Sequence, residues 1–518
     1  MVFRNGRWKL SCSVFRHTEV LAVVVLNSLG TGIVKDLGPA FLRSTVDCEH
    51  FVPDAAGHCP RGFSVGEGRC LPPHPKPHAH QWSGSKHCDL ADFVMNKGVH
   101  RAGHLEMFGL SGHFVALFVI GPFIDVWGRK PVIMVAIFGD LIRTVLLVVA
   151  SYYVSDSIML FLLPAVFIFG ATNAFHPAMN AMVADLSKAT VEARTSGYST
   201  LKVVSHLAFV IAIGIGFGIL NLHLTEYSQV WMIMTAFVAG LLVLAGLVLT
   251  ETLKKLPPRS GSFKLPEIGG KEVSGSKAAI CRRCWKMMKE VTRLVRKDCF
   301  LCQLIIVQFF KVAALGIAEA TVRPFLISHL GYRQQYASLA SLFTAAMLLV
   351  GNALSRVWVR RFGPKLVYGG ATGVVALGFF IESFAGVVDH TWDDVFFWVG
   401  LVIGATGFGV ADTAGTVLLS LRVHPEAMGV MFSLEHGLGL VGHLLGVFMA
   451  THYLFNAKAQ GWHRSSCFAA CGAFMGLATL WYFAAYFLLA DEDNEEGDSD
   501  TSSSCSQTSE SESSDSLD

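Results

Sequence analysis

The chain has 518 residues, of which 52% are apolar and only 15% charged, with a formal net charge of +2. A soluble domain carries about 25% charged residues, so this composition excludes an ordinary water-soluble globular protein. Apolar runs near 20 residues recur along the chain, the length that crosses ~30 Å of hydrocarbon. They are continuously apolar rather than alternating, which excludes a transmembrane β-barrel.

The expected fold is an all-α polytopic membrane protein, because lipid offers no partner to open backbone groups. Twelve spans are expected near 19–41, 98–124, 131–153, 157–183, 197–221, 228–250, 299–327, 335–357, 366–388, 395–420, 427–452 and 467–490. Residues 1–18 are basic and lead into span one, which reads as a signal anchor without a small-residue cleavage site. Residues 43–97 form a long loop with Cys48, Cys59, Cys70 and Cys88. On a non-cytosolic side these four suggest two disulfides, with three pairings open. The same loop holds His50, His58, His74, His78, His80 and His87. Its HPKPHAH run reads first as a flexible, pH-responsive, Pro-rich tract and second as a set of divalent-metal ligands. No N-glycosylation sequon occurs in the chain.

After the six spans of 19–252 comes a linker, 253–298, expected in the cytosol. Its first part is rich in Pro, Gly and Ser and reads as flexible. Its second part places Ile280, Cys284, Met287, Met288, Val291, Leu294 and Val295 on one helical stripe, with Arg and Lys elsewhere. That pattern reads as a helix lying on an anionic inner leaflet. Cys281, Cys284, Cys299 and Cys302 have zinc-like spacing, but the helix separates the pairs, so unmodified or acylated thiols are preferred to a metal site. The second six spans occupy 299–490. The tail, 491–518, carries eleven acidic residues and no Lys or Arg, and reads as disordered. Its Ser509–Glu512 run suits an acidophilic kinase; a merely solubilising tail is the alternative.

Lys and Arg fall in alternate short loops, as at Arg129 and Lys130, Lys188 and Arg194, and Arg360 and Arg361. The positive-inside rule then puts both termini in the cytosol, at the plasma membrane or an endomembrane. The two halves look like weak copies. DVWGRKPVIMV after span two parallels RRFGPKLVYGG after span eight, with Gly128 and Gly363 235 residues apart. In spans four and ten, Gly170 and Gly404 are 234 apart. This argues for two six-helix bundles related by a pseudo-twofold normal to the membrane, with a site near the midplane.

The stretch GPFIDVWGRK, 121–130, puts a carboxylate and two cations between apolar segments. Gly121, Asp125, Gly128, Arg129 and Lys130 match G-x-x-x-D-x-x-G-R-[KR], and in this position the chain resembles the major facilitator superfamily. Span four closing on Asp185 and span six on Glu251-Thr252 extend the resemblance, which covers roughly 19–490 but not the first loop, the linker helix or the tail. The chain is nearest in look to drug/proton antiporters of the tetracycline-exporter kind and to proton-coupled folate carriers. It departs from the antiporters at Val166, where they carry Arg, and in AIGIGFGI, a loose echo of their Gly-Pro signature. The resemblance implies a cytosolic gate made of Gly121, Asp125, Gly128, Arg129, Lys130 and Asp185. In it, Asp125 meets the N-terminal end of span eleven and Arg129 pairs with Asp185. The alternative is a charge cluster that only fixes orientation.

An ionisable group inside the membrane is a functional candidate by default. Glu106, His176, Lys311, Glu319, Asp412, Glu435 and His443 are the candidate substrate and proton residues, Lys311 first as substrate or counter-charge site. Each could equally make a structural interhelical bond. Glu319 and Arg323 are spaced to neutralise each other, and Asp140 and Arg143 read as a structural pair. No nucleotide-binding loop, HExxH or GxSxG occurs, and no cofactor is implied, so an enzyme is not expected. The expected function is secondary active transport of a small organic solute by alternating access, coupled to protons. The alternative is a receptor or sensor on a transporter body.

Overall fold

The computed structural model describes residues 2–4, 7–9, 18–31, 33, 84–152, 159–222, 227–252, 285–286, 288–289, 291–296, 298–332, 334–385, 387, 390–424, 427–455, 463 and 465–500. The chain is an all-α polytopic membrane protein, apart from a short antiparallel hairpin of Val2–Arg4 with Arg7–Lys9. Among the described residues, eleven helical segments are long and apolar enough to cross a membrane, and a shorter apolar helix, Thr18–Thr31, supplies span one. These form the two six-helix halves.

Several element ends differ from the sequence reading. Span two is one helix, Gly84–Val119, so residues 84–97 are helical rather than loop. That stretch has no proline after Gly84, and nothing in it stops a helix. Cys88 lies on its early turns; Cys48, Cys59 and Cys70 lie outside the described residues, as do the side chain of Cys88 and the tail from 501. Span five is Val191–Leu222, beginning six residues earlier than expected.

Span four is two helices, Met159–Thr172 and Phe175–Leu186. The break has a local cause. Pro177 has no N–H to return to the carbonyl of residue 173 and its ring crowds that carbonyl. Asn173 and Ala174 therefore leave the helical path, and His176 emerges just after the break. Spans three and nine start alike. Gly128 (φ +108°) precedes Arg129–Ala150, and Gly363 (φ +79°) precedes Pro364–Ser383. Span seven, Cys299–Ser328, is capped by Asp298, whose Oδ1 accepts the N–H groups of Phe300 and Leu301 at 3.0 and 3.2 Å. Span eleven, Met428–Met449, ends in a π-helical turn, Ala450–Leu454.

The core has an asymmetry that positions the site. At the end carrying residues 121–130, one apolar cluster runs through both halves, from Val20, Ile124 and Met182 to Leu304, Val410 and Met431. At the opposite end each half has its own core. One is built on Leu105, Leu162 and Trp231, the other on Ile317, Phe325 and Phe468. The halves are thus sealed together at the 121–130 end. Part of the linker helix joins that seal. Val291 is buried, and Met288, Leu294 and Val295 pack on the same core, while Lys286, Lys289, Arg293 and Arg296 stay exposed. Its apolar stripe therefore rests at least in part on the bundle, where the sequence suggested the lipid surface alone.

Candidate functional site: a sealed end and a polar central cavity

The 121–130 corner is built around Arg129, whose side chain is fully buried. Its guanidinium pairs with Asp125, donates from Nη1 to the Ile124 carbonyl at 2.6 Å, and donates from Nε to Asp185 Oδ2 at 3.1 Å. Thr252 Oγ1 donates to the same Asp185 oxygen at 3.0 Å. Glu251 accepts the backbone N–H groups of Arg129 and Lys130, both at 3.0 Å, and so caps span three, whose own N-cap, Gly128, has no side chain. Lys130 Nζ donates to the Gly246 carbonyl at 2.6 Å.

Asp125 links the halves. Its two oxygens accept the N–H groups of Gly429 and Val430 at 3.1 and 2.7 Å, in the first turn of span eleven. Those N–H groups have no partner within their own helix, and a helix N-terminus favours an anion. Small residues make the approach feasible. A Cβ on Gly121 would fall 2.5 Å from Ser433, and one on Gly429 would fall 2.7 Å from Asp125 Oδ1. Asp125, Arg129 and Asp185 therefore share one buried network that crosses between the halves, Lys130 is tied to its edge through Glu251, and Gly121 and Gly128 supply the close approaches.

Beyond this seal lies a cavity of about 300 Å³, at the small end of the usual range for ligand pockets. His176, Lys311, Asp412, Glu435 and His443 line it, together with Lys202, His113, His206 and His436. Glu106 and Glu319 stand at its edge through His443. Nε2 of that ring is 3.3 Å from Glu106 Oε1 and 3.6 Å from Glu319 Oε2. The ligand atoms of these three residues lie within 4.8 Å of one another. They come from spans two, seven and eleven, and the group can share a proton or hold a cation between the halves. Arg323 donates to Ser341 Oγ at 3.3 Å, and Asp140 pairs with Arg143 at 2.5 Å inside span three.

The centre of the cavity is a three-charge cluster. Lys202 Nζ donates to Asp412 Oδ2 at 2.5 Å, to the Asp412 carbonyl at 2.9 Å and to Thr416 Oγ1 at 2.9 Å. Lys311 Nζ stands 3.6 Å from Asp412 Oδ1 and 5.3 Å from the centre of the Phe408 ring. Asp412 thus lies between a cation of the first half and one of the second. Next to it, Asn352 Oδ1 accepts from Thr413 at 2.7 Å, and its carbonyl accepts from Ser199 at 2.7 Å, tying spans five, eight and ten. The rings of His176 and His436 stack with centroids 6.1 Å apart, and His436 Nδ1 is 3.4 Å from Glu435 Oε2.

Lys202 is the residue that sequence reasoning missed. A span that starts at 197 puts Lys202 in its second turn, near enough to the end for a lysine to snorkel to the interface. The helix starts at Val191, which puts Lys202 three turns inside. Glu251 was noted as a closing signature, but its capping of span three had no signal in the sequence.

The residues 102–447 match the family model of the Major Facilitator Superfamily, more than half of the chain. The chain belongs to the major facilitator superfamily. Its fold is similar to the human organic anion transporter MFSD10 (TETRAN), at 14% identity over 91% of this chain and 100% of that one, with a TM-score of 0.63. It is also similar to the nucleoside transporter NupG (13% identity, 90% and 99% covered, TM-score 0.54). A third similar structure is the E. coli fucose:proton symporter FucP (13% identity, 90% and 99% covered, TM-score 0.54). No curated protein matches the chain significantly. As a major facilitator, this chain is a multi-pass membrane protein of a solute-transporting family, whose members are generally not enzymes.

Proposed function

We propose that this chain is a secondary active transporter that moves a small organic solute by alternating access, driven by protons. The observation that carries the reading is the central cavity, which lies between the two halves and draws opposing charges from each, Lys202 from one and Asp412 and Lys311 from the other. A site whose ion pairs cross the moving interface can bind on one side of the membrane and be exposed on the other.

The buried network of Asp125, Arg129 and Asp185 is the gate that holds the 121–130 end shut, and that end faces the cytosol, as do both termini. When the halves rock, Asp125 leaves Gly429 and Val430 and the seal parts. Glu106, Glu435 and the cavity histidines are the proton carriers; Asp412, which the sequence offered for the same role, is instead paired between Lys202 and Lys311. A proton on His443 strengthens its contacts with Glu106 and Glu319 and closes the opposite end. Phosphorylation of the acidic serine-rich tail by an acidophilic kinase belongs to the same reading.

The test is solute flux in proteoliposomes of the full chain with and without an imposed pH gradient, beside the Asp125→Asn variant. Saturable uptake that follows the gradient, and that falls at least about tenfold in the variant, supports the reading. Flux indifferent to both removes proton coupling and the gate.

A further inference from the structure

We propose that the solute carried in this cavity is an organic anion whose charged group docks on Lys311 in exchange for Asp412. The proposal rests on the transport reading above and names the substrate class of the same site.

The argument starts from the hydrogen-bond inventories of the two lysines. An ammonium has three N–H donors. Those of Lys202 are all taken, by Asp412 Oδ2, the Asp412 carbonyl and Thr416 Oγ1. Lys202 is thus a structural cation that holds the Asp412 carboxylate in place. Lys311 is the opposite case. Its side chain is only 2% exposed, yet among the described residues it makes no hydrogen bond, and its ion pair with Asp412 Oδ1 is 3.6 Å long. A buried charge without hydrogen bonds is costly, and this one is directed into the cavity. The Phe408 ring at 5.3 Å gives it a cation–π contact without occupying its donors.

The surroundings fit an anionic head on an apolar body. Gln308, one turn from Lys311 in span seven, lines the same space. Phe175, Met179, Leu201 and Leu440 supply apolar wall. The other cavity carboxylate, Glu435, is engaged by His436 at 3.4 Å. A carboxylate or phosphate arriving at Lys311 completes the missing hydrogen bonds, while Asp412 stays held by Lys202. Within the cavity itself a cation finds both carboxylates engaged, Asp412 by Lys202 and Glu435 by His436, and the Glu106–Glu319–His443 group stands at the edge, away from Lys311.

The experiment is uptake by proteoliposomes of the full chain from an equimolar pool of organic anions, cations and neutral solutes, read by mass spectrometry. The pool contains four matched membrane-impermeant probes, hippurate, phenyl phosphate, phenyltrimethylammonium and phenyl glucoside. The proposal expects anions to accumulate over protein-free vesicles. Lys311→Gln should lower that uptake about tenfold or more, the loss that follows removal of hydrogen bonds to a charge. Lys311→Arg should restore part of it, and the unfolding temperature of Lys311→Gln should not fall. Lys202→Gln should instead lower the unfolding temperature, since it strands Asp412. Accumulation of cations or neutral solutes only would overturn the anion assignment and leave the transport reading standing. Anion uptake unchanged in Lys311→Gln would overturn the role of Lys311. No accumulation from the pool would overturn both readings.

Discussion

Gly128 sits at φ +108°, and a Cβ there would collide with the Glu251 carboxylate that caps span three. Gly128→Ala therefore combines a strained backbone with displacement of a cap. It should cost about 2 kcal/mol or more, read as a lower unfolding temperature of the purified protein in detergent. Asp125 accepts two backbone N–H groups from the other half and pairs with buried Arg129. Asp125→Asn leaves Arg129 with Asp185 as its one charged partner and should weaken the sealed end by about 3 kcal/mol. The readout is faster labelling of a cysteine placed at Ser433. The residues of this network were legible through their match to G-x-x-x-D-x-x-G-R-[KR], and their contacts as what that resemblance implies. Glu251 was legible only as a terminal signature, since its partners are backbone N–H groups 122 and 121 residues away in sequence. Lys202 was hidden by a boundary error of six residues, enough to turn a buried cation into an interfacial one.

At the scale of elements, the broken span four is the clearest case of sequence dictating site. Pro177 withholds a hydrogen bond from residue 173, and the break delivers His176 to the cavity. Pro177→Ala allows the helix to run through 173–175. It should leave stability unchanged or raised by about 1 kcal/mol while lowering solute affinity several-fold, measured by uptake at varied solute concentration. An unchanged affinity would mean that the break does not position His176. The apolar runs made the spans legible because hydrocarbon imposes one length on all of them. Their ends were less so, because helices that leave the bilayer continue in polar sequence. Residues 84–97 carry on span two without an apolar signal. The linker helix shows the same ambiguity, since its stripe of Val291, Leu294 and Val295 fits a lipid surface and a protein groove equally well.

For the whole molecule, the internal repeat was legible because two copies of one packing solution keep the same glycines. Gly128 and Gly363 both take positive φ at the start of spans three and nine. The asymmetry between ends was not legible. One core cluster crosses the halves at the 121–130 end, and separate clusters serve them at the other. On the alternating-access reading proposed above, that difference belongs to one of two conformations, and a sequence encodes both. The two ends should therefore respond oppositely when the solute or a proton gradient shifts the population.

Glu192 and Arg360, exposed on opposite halves and 3.9 Å apart at the 121–130 end, offer the most direct measurement. Spin labels at positions 192 and 360 report their separation by double electron–electron resonance. The account predicts a short distance as the main population, with a second, longer distance that grows in Asp125→Asn and under transport conditions. A single short distance, unchanged in that variant and in vesicles that carry measurable flux, would contradict alternating access through this end.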